Sequence, residues 1–244
     1  ENVRGLLTSR WTREGSRKIF PDVLEEFRKI PGYEVRWSLV YAKDYGVPQN
    51  RPRVLLVGIR KDVLEACSFL DKGADAEDAV ACGFLPPPNP AWAASRAGKL
   101  TEQEYSKHKR EIVEKFDYML ANGGEIPAHA QTKKFSQRVL KPRWGNAEPN
   151  MTATSLPDDY VHFSQPRILT VREWARLQMF PDWYEFSGKR TTGGIRRAGN
   201  PLEGNFDREV PKYTQIGNAV PVGLAEAVGK HFRKVLDEAV GTRA

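Results

Sequence analysis

The stretch YGVPQNRPRVLLVGIR, Tyr45 to Arg60, joins two unlike halves. Its first nine residues carry a glycine, two prolines and an asparagine, which is turn chemistry, and end on two arginines spaced two apart. Its second half, RVLLVGIR from Arg53 to Arg60, is a short continuous apolar run of the kind that forms a buried strand. Upstream, GYEVRWSLVYA sets Tyr33, Val35, Trp37, Leu39 and Tyr41 in alternation with mostly polar residues, a second strand with one apolar face. Before that strand, Val23, Leu24, Phe27 and Ile30 follow helical spacing between Pro21, suited to a first turn, and the stop signal Pro31-Gly32. Helix, strand, turn, strand predicts part of an α/β sheet.

Downstream the texture changes. From about residue 61 to 165, the segments FLPPPNPAWAASRAG, ANGGEIPAHAQTKK and KPRWGNAEPN are rich in Pro, Gly and Asn, with one charged helical stretch near Thr101 to Met119. This predicts a separate, loop-rich unit. Helical spacing returns in LTVREWARLQMFPDWY. Thr170 and Glu173 stand in the T-x-x-E pattern of a capping box, Val171, Trp174 and Leu177 share an inner face, and Phe180-Pro181 ends the helix. A last helix starts near Pro221, with Ala225, Val228, Phe232 and Val235 turned inward and Lys230, Arg233 and Lys234 facing water. There is no internal repeat.

The chain holds 38 Lys and Arg against 31 Asp and Glu over 244 residues, a net charge of +7. That balance favours a polyanionic partner over a membrane. No segment reaches the roughly 18 apolar residues of a membrane span, and no secretory signal stands at the start, so a cytoplasmic location is expected. The two cysteines, Cys67 and Cys82, form no CxxC pair and have no histidine cluster nearby, which speaks against a metal site. A disulfide is possible by count, but for a cytoplasmic protein both read as small buried or idle thiols.

Four motifs together are more specific than any one: Glu1-Asn2-Val3 at the start, YGVPQNRPR (Tyr45 to Arg53), RILTVREWARLQMFPDWY (Arg167 to Tyr184) and YTQIGNAVPVGLAEAV (Tyr213 to Val228). In that order the chain resembles the C-terminal half of the DNA (cytosine-5) methyltransferases. The resemblance anchors residues 1–60 and 165–244; the middle corresponds only in position, to the family's variable target recognition region. It implies an α/β fold, the second half of a Rossmann-like S-adenosylmethionine-dependent methyltransferase sheet with a smaller, loop-rich target recognition domain. The implied divisions are 1–60 in the catalytic domain, 61–205 for target recognition, and 206–244 returning to the catalytic domain.

The roles that follow are what the resemblance implies. A thiolate adds to C6 of a flipped-out cytosine, making C5 nucleophilic toward the methyl group of S-adenosylmethionine. Glu1 matches the acid that meets N3 and the exocyclic amine, where charge builds. Arg53 matches the arginine at the cytosine O2, and Arg51 would support Glu1 or a phosphate with the same planar fork. Asn2 and Val3 flank the base, while Gln49 and Pro48 shape the turn. In GKRTTGGIRRAGN, residues Lys189, Arg190, Arg196 and Arg197 surround two glycines and suit phosphate or groove contacts on double-stranded DNA. Asn218, Ala219 and Val220 match residues lining the S-adenosylmethionine pocket, with Gly217 allowing a close approach. Ala219 stands where the family often has Ser, which removes one side-chain hydrogen bond.

Arg172, Glu173 and Arg176 read as ion-pair scaffolding, and Trp92 and Trp144 as packing residues. The family's cofactor glycine loop and its Pro-Cys nucleophile would precede Glu1, and neither occurs here. Cys67 follows Ala66 and Cys82 follows Ala81. A missing N-terminal half or complementing subunit with the nucleophile is therefore the expected partner, and the alternative is a non-catalytic DNA-binding or regulatory module.

Overall fold

The computed structural model describes residues 1–12, 15–73, 77–89, 101–131, 137–140, 157–191, 204 and 210–241. They fall into two compact units. One takes in residues 1–46, 51–91 and 223–244, the other 47–50 and 92–222. Among the described residues no helix is long and apolar enough to cross a membrane.

The first unit is built on three antiparallel strands. Strand β1 (Asn2–Val3) pairs with β3 (Pro52–Arg60), which also pairs along its whole length with β2 (Tyr33–Tyr41). Pro52 takes the first position of β3, where a missing N–H disturbs the ladder least. Helix α1 (Ile19–Arg28) covers one face of the sheet. Phe20 and Leu24 pack with Val35 and Val54, and the Phe20 ring meets Trp37 edge-on at 4.7 Å between centroids. Pro21 lies within the first turn of α1 as its spacing predicts, but Phe27 and Ile30 are exposed.

Two strand expectations need correction. The alternation in β2 points to Tyr33, Val35, Trp37, Leu39 and Tyr41 as the inner set, yet Arg36, Ser38 and Val40 are fully buried, whereas Trp37 and Leu39 are half-buried and Tyr33 is exposed. The reason is the segment 77–89, which pairs along the edge of β2 through a parallel bridge between Trp37 and Asp78 and brings Phe84 against the other face. Trp37 donates its N–H to the Glu77 carbonyl at 3.3 Å, Ala79 returns one to Trp37 at 3.0 Å, the Ser38 hydroxyl donates to Asp78 at 2.8 Å, and the Arg36 guanidinium sits 5.3 Å over Phe84. Polar groups can be interior where they meet partners, and Arg36 Nη2 donates to the Gly73 carbonyl at 2.9 Å. The apolar run in β3 is likewise not buried on both faces: Leu55 and Leu56 are half-buried and Gly58 is exposed.

Helix α2 (Lys61–Ala66) follows β3, and the long C-terminal helix, labelled α6 below (Val222–Gly241), completes this unit. His231 on that helix lies 2.6 Å from the Gly83 carbonyl, and Glu238 accepts from the Ser68 N–H and hydroxyl. The inward stripe runs through Leu224, Val235 and Ala239, with Val228 and Phe232 half-buried. Ala225, expected to face inward, is exposed, because the burial seam follows Leu224 and drifts around the helix.

In the second unit, helix α3 (Arg110–Ala121) starts later than the predicted stretch from Thr101. Tertiary contacts hold residues 101–105 off the helix. Arg172 draws on the Thr101 carbonyl and hydroxyl, the Arg172 N–H bonds the Glu102 carbonyl at 3.0 Å, Glu102 takes a left-handed φ of 61° and pairs with Lys212, and Arg167 lies 4.2 Å over the Tyr105 ring. Strands β4 (Arg138–Val139) and β5 (Tyr160–Val161) pair in parallel beside α3 residues Phe116 and Met119. Helix α4 (Val171–Leu177) and helix α5 (Lys212–Asn218) share a core around Trp174, Tyr213 and Ile216, none more than 1% exposed.

Candidate active site

The capping box forms as the sequence predicts: the Thr170 hydroxyl accepts from the Glu173 N–H at 3.1 Å, and Glu173 accepts from the Thr170 N–H at 2.8 Å. The scaffolding reading of this helix also holds for two of its three charged residues. Glu173 takes both terminal nitrogens of Arg167, at 2.7 and 2.8 Å, and Arg176 takes both oxygens of Asp182, at 2.9 and 2.8 Å. Arg172 differs. Buried to 1%, it donates to the carbonyls of Thr101, Pro181 and Tyr184, so it ties chain segments together through neutral acceptors. Burial lowers its pKa.

In the first unit the ladder between β1 and β3 sets Val3 opposite Arg53 and Asn2 opposite Val54. That register carries Glu1, next in line, onto the Arg53 guanidinium, and the two form an ion pair. Arg53 also donates to the Pro52 carbonyl at 2.8 Å. It is Arg53, therefore, and not Arg51 that grips Glu1. Arg51 is buried to 3%, and its carbonyl accepts from Ala42 at 3.1 Å, fixing the turn to the end of β2. Burial, then the like charge of Arg53, pulls the Arg51 pKa down to about 10, with Glu1 opposing the shift. Burial also lowers Arg53, again against Glu1. Two desolvated cations beside one carboxylate leave a net positive corner, suited to negative charge appearing on a bound ring.

The remaining expected site residues are less closely gathered. Asn2 and Val3 are exposed, with the Asn2 side chain accepting from the Val3 N–H at 2.8 Å. Lys189 is exposed, whereas Arg190 is half-buried and donates to the Glu104 and Tyr105 carbonyls at 3.2 and 3.3 Å. Arg196 and Arg197, like Trp92 and Trp144, lie outside the described residues. At the end of α5, Asn218 is exposed and Ala219 and Val220 are half-buried, a surface with atoms to offer a ligand. Cys67 and Cys82 are both buried, and burial pushes both thiols up, which leaves them poor nucleophiles.

Sequence reasoning missed one participant. Gln178 follows α4 and is fully buried, donating to the Ile216 carbonyl at 2.7 Å and the Ala219 carbonyl at 3.3 Å. A signal was present: 178 lies seven residues after Val171 and four after Trp174, on the helix's inner face, where an amide needs partners.

The chain is thus mixed α/β and sets the Glu1 carboxylate on the second arginine of a Q-x-R-x-R turn. The chain belongs to the C-5 cytosine-specific DNA methylase family, whose model matches residues 1–234. It is 31% identical over 239 residues to the type II methyltransferase M.BspRI of Lysinibacillus sphaericus, covering 94% of this chain and 49% of that protein. M.MthTI of Methanothermobacter thermautotrophicus is 31% identical over 255 residues, 97% of this chain and 66% of that protein, and M.BsuRI of Bacillus subtilis is 30% identical over 242 residues, 93% and 47%. The chain thus spans about half to two thirds of the length of these relatives.

Proposed function

We propose that residues 1–244 furnish one part of a DNA cytosine-5 methyltransferase: the acid, the base-contacting arginines, the target recognition region and part of the S-adenosylmethionine rim. The observation that carries this reading is the Glu1–Arg53 pair, assembled across 52 positions of sequence by the β1–β3 ladder. In this reading Glu1 accepts from the amine of a flipped-out cytosine and, once it has taken up a proton from solvent, delivers it or a hydrogen bond to N3. Arg53 holds Glu1 in register and offers its remaining donors to the base O2, while Arg51 adds positive potential beneath.

Residues 61–205 read the duplex, Lys189, Arg190, Arg196 and Arg197 contact its phosphates or grooves, and Asn2 and Val3 flank the base. Residues 206–244 return the chain to the catalytic domain. Asn218, Ala219 and Val220 hold the cofactor; their partial exposure, and the fixing of the Ala219 carbonyl from inside by Gln178, fit a rim whose backbone is set and whose surface is free to touch a ligand. When bound, S-adenosylmethionine supplies the methyl group. The thiolate comes from polypeptide outside these residues, since the sequence has no Pro-Cys dipeptide and its own thiols are buried.

The test is transfer of a labelled methyl group from S-adenosylmethionine to duplex DNA. Residues 1–244 alone should transfer none, and the same chain with the polypeptide that completes it should be active. Transfer by the bare chain would overturn the proposal, as would inactivity of an assembly shown to contain a Pro-Cys segment and to bind duplex DNA.

A further inference from the structure

Gln49 and Gln178 are both 0% exposed and lie in the same unit. A buried primary amide must place two N–H donors and a carbonyl oxygen, and leaving them unpaired is costly. Here they pair in a chain. Gln49 Nε2 donates to the Leu177 carbonyl at 2.8 Å and to Gln178 Oε1 at 2.7 Å. Gln178 Nε2 donates to the Ile216 and Ala219 carbonyls, and the Gln178 backbone carbonyl accepts from Val222 at 2.9 Å.

The orientation of both amides follows from chemistry alone. Backbone carbonyls only accept, so Gln178 must turn its NH2 toward Ile216 and Ala219, which leaves its oxygen for Gln49. Gln49 must then present its own NH2 to that oxygen and to Leu177. Flipping either amide sets oxygen against oxygen, so the two side chains have one joint arrangement.

The backbone beneath Gln178 is held with equal definition. Met179 donates to the Arg176 carbonyl and Phe180 to the Ala175 carbonyl, both at 3.0 Å, closing α4 in a Schellman turn. The left-handed position in that turn, usually glycine, is Met179 at φ 62°. A side chain there costs about 1 kcal/mol, and such strain persists where surroundings over-determine the backbone.

The two ends of this chain of amides are the segments to which distinct tasks fall under the proposed function, on which the inference rests. Gln49 stands two residues before Arg51 and four before Arg53. Ala219 is the middle residue of the cofactor rim. We infer that Gln49 and Gln178 are positioning residues that couple the base-handling turn to the S-adenosylmethionine rim, so that a change at one end is felt as altered affinity at the other. Bonds in series polarise one another, and a break at Gln49 leaves the buried Gln178 oxygen without its donor, which weakens the hold of the Gln178 amide on the Ile216 and Ala219 carbonyls. A purely structural plug would lower stability and leave ligand affinities alone.

The experiment uses the assembled enzyme, with S-adenosylmethionine binding followed by calorimetry and melting recorded alongside. Gln49→Leu keeps the volume, removes the donor and touches no rim atom; it should weaken S-adenosylmethionine binding about tenfold. Gln178→Glu retains an acceptor for Gln49 but opposes the Ile216 and Ala219 carbonyls, and should weaken binding at least as much, with the double variant no worse than Gln178→Glu alone. A folded Gln49→Leu enzyme binding within twofold of wild type would overturn the coupling and leave the proposed function standing. If the wild-type assembly bound no S-adenosylmethionine, the functional reading would fall and the coupling with it. Should Gln49→Leu not fold, the labelled wild-type assembly decides by NMR: saturation with S-adenosylmethionine should shift the Gln49 side-chain amide or slow its exchange, and an unmoved amide would refute the inference.

Discussion

Each unit carries a glutamate gripped by an arginine, and both glutamate side chains are 32% exposed, yet the two pairs are built differently. In the second unit Glu173 is saturated. Arg167 binds both its oxygens, Thr170 donates to one of them, and Arg167 itself rests on Tyr105 and bonds the Ile168 carbonyl. In the first unit, Arg53 is the only ion-pair partner of Glu1 among the described residues, at the end of a two-residue edge strand. Exposure does not separate the pairs; unused bonding capacity does. A scaffold carboxylate uses its lone pairs to hold helix and loop together, whereas a carboxylate meant for a substrate must keep some in reserve.

The largest expected effect is on turnover. Glu1→Gln in the assembled enzyme should lower kcat by about 10²–10⁴-fold, the usual worth of general acid–base help, with duplex affinity unchanged; kcat near wild type would make Glu1 another scaffold residue. Next comes stability. Arg167→Ala strips Glu173 of its bidentate partner and should destabilise the second unit by about 2–3 kcal/mol, at the low end for a broken buried pair because Glu173 is partly solvated, as read by denaturant unfolding; a change below about 0.5 kcal/mol would make the pair ornamental.

Acid titration sharpens the contrast. Burial works against the Glu173 charge, but the Arg167 hydrogen bond, the Thr170 N–H and nearby positive charge outweigh it and hold the pKa below the ordinary carboxylate range. A depressed carboxylate pKa contributes stability above the unfolded value of about 4.3, lost as pH falls through the folded value. Melting of the second unit should therefore fall in that window, and Glu173→Gln should flatten the fall. His108, His162 and His231 are all lowered by burial, so the unfolded chain takes up protons first and stability should already begin to decline below about pH 6.5. A melting temperature constant from pH 7 to 5 would contradict those burials. The smallest effect concerns the strained turn: Met179→Gly should relieve about 1 kcal/mol of backbone strain, offset in part by lost packing and chain entropy, and a loss above about 1 kcal/mol would show Met179 held chiefly by its side chain.

Much of this molecule was legible before its structure. The α1, β2 and β3 succession, the capping box at Thr170 and Glu173, and the ion-pair roles of Glu173 and Arg176 all follow from spacing and local chemistry, because caps and amphipathic periods act between residues a few positions apart. The buried face of β2 was not legible. Arg36 and Ser38 look like solvent-facing residues until segment 77–89 supplies Asp78 and Phe84. Nor was the start of α3, where Arg172 and Lys212 hold residues 101–102 from a distance.

The site divides in the same way. Sequence motifs alone determined the family and which acid and arginines to watch. Tertiary structure alone decided that Arg53 rather than Arg51 holds Glu1, that Arg190 gives one guanidinium nitrogen to two backbone carbonyls, and that Gln49 and Gln178 form one chain of amides. The physical reason is range: propensity and periodicity are written into neighbouring residues, whereas hydrogen-bond direction and ion-pair choice depend on which distant groups the fold brings within about 3 Å.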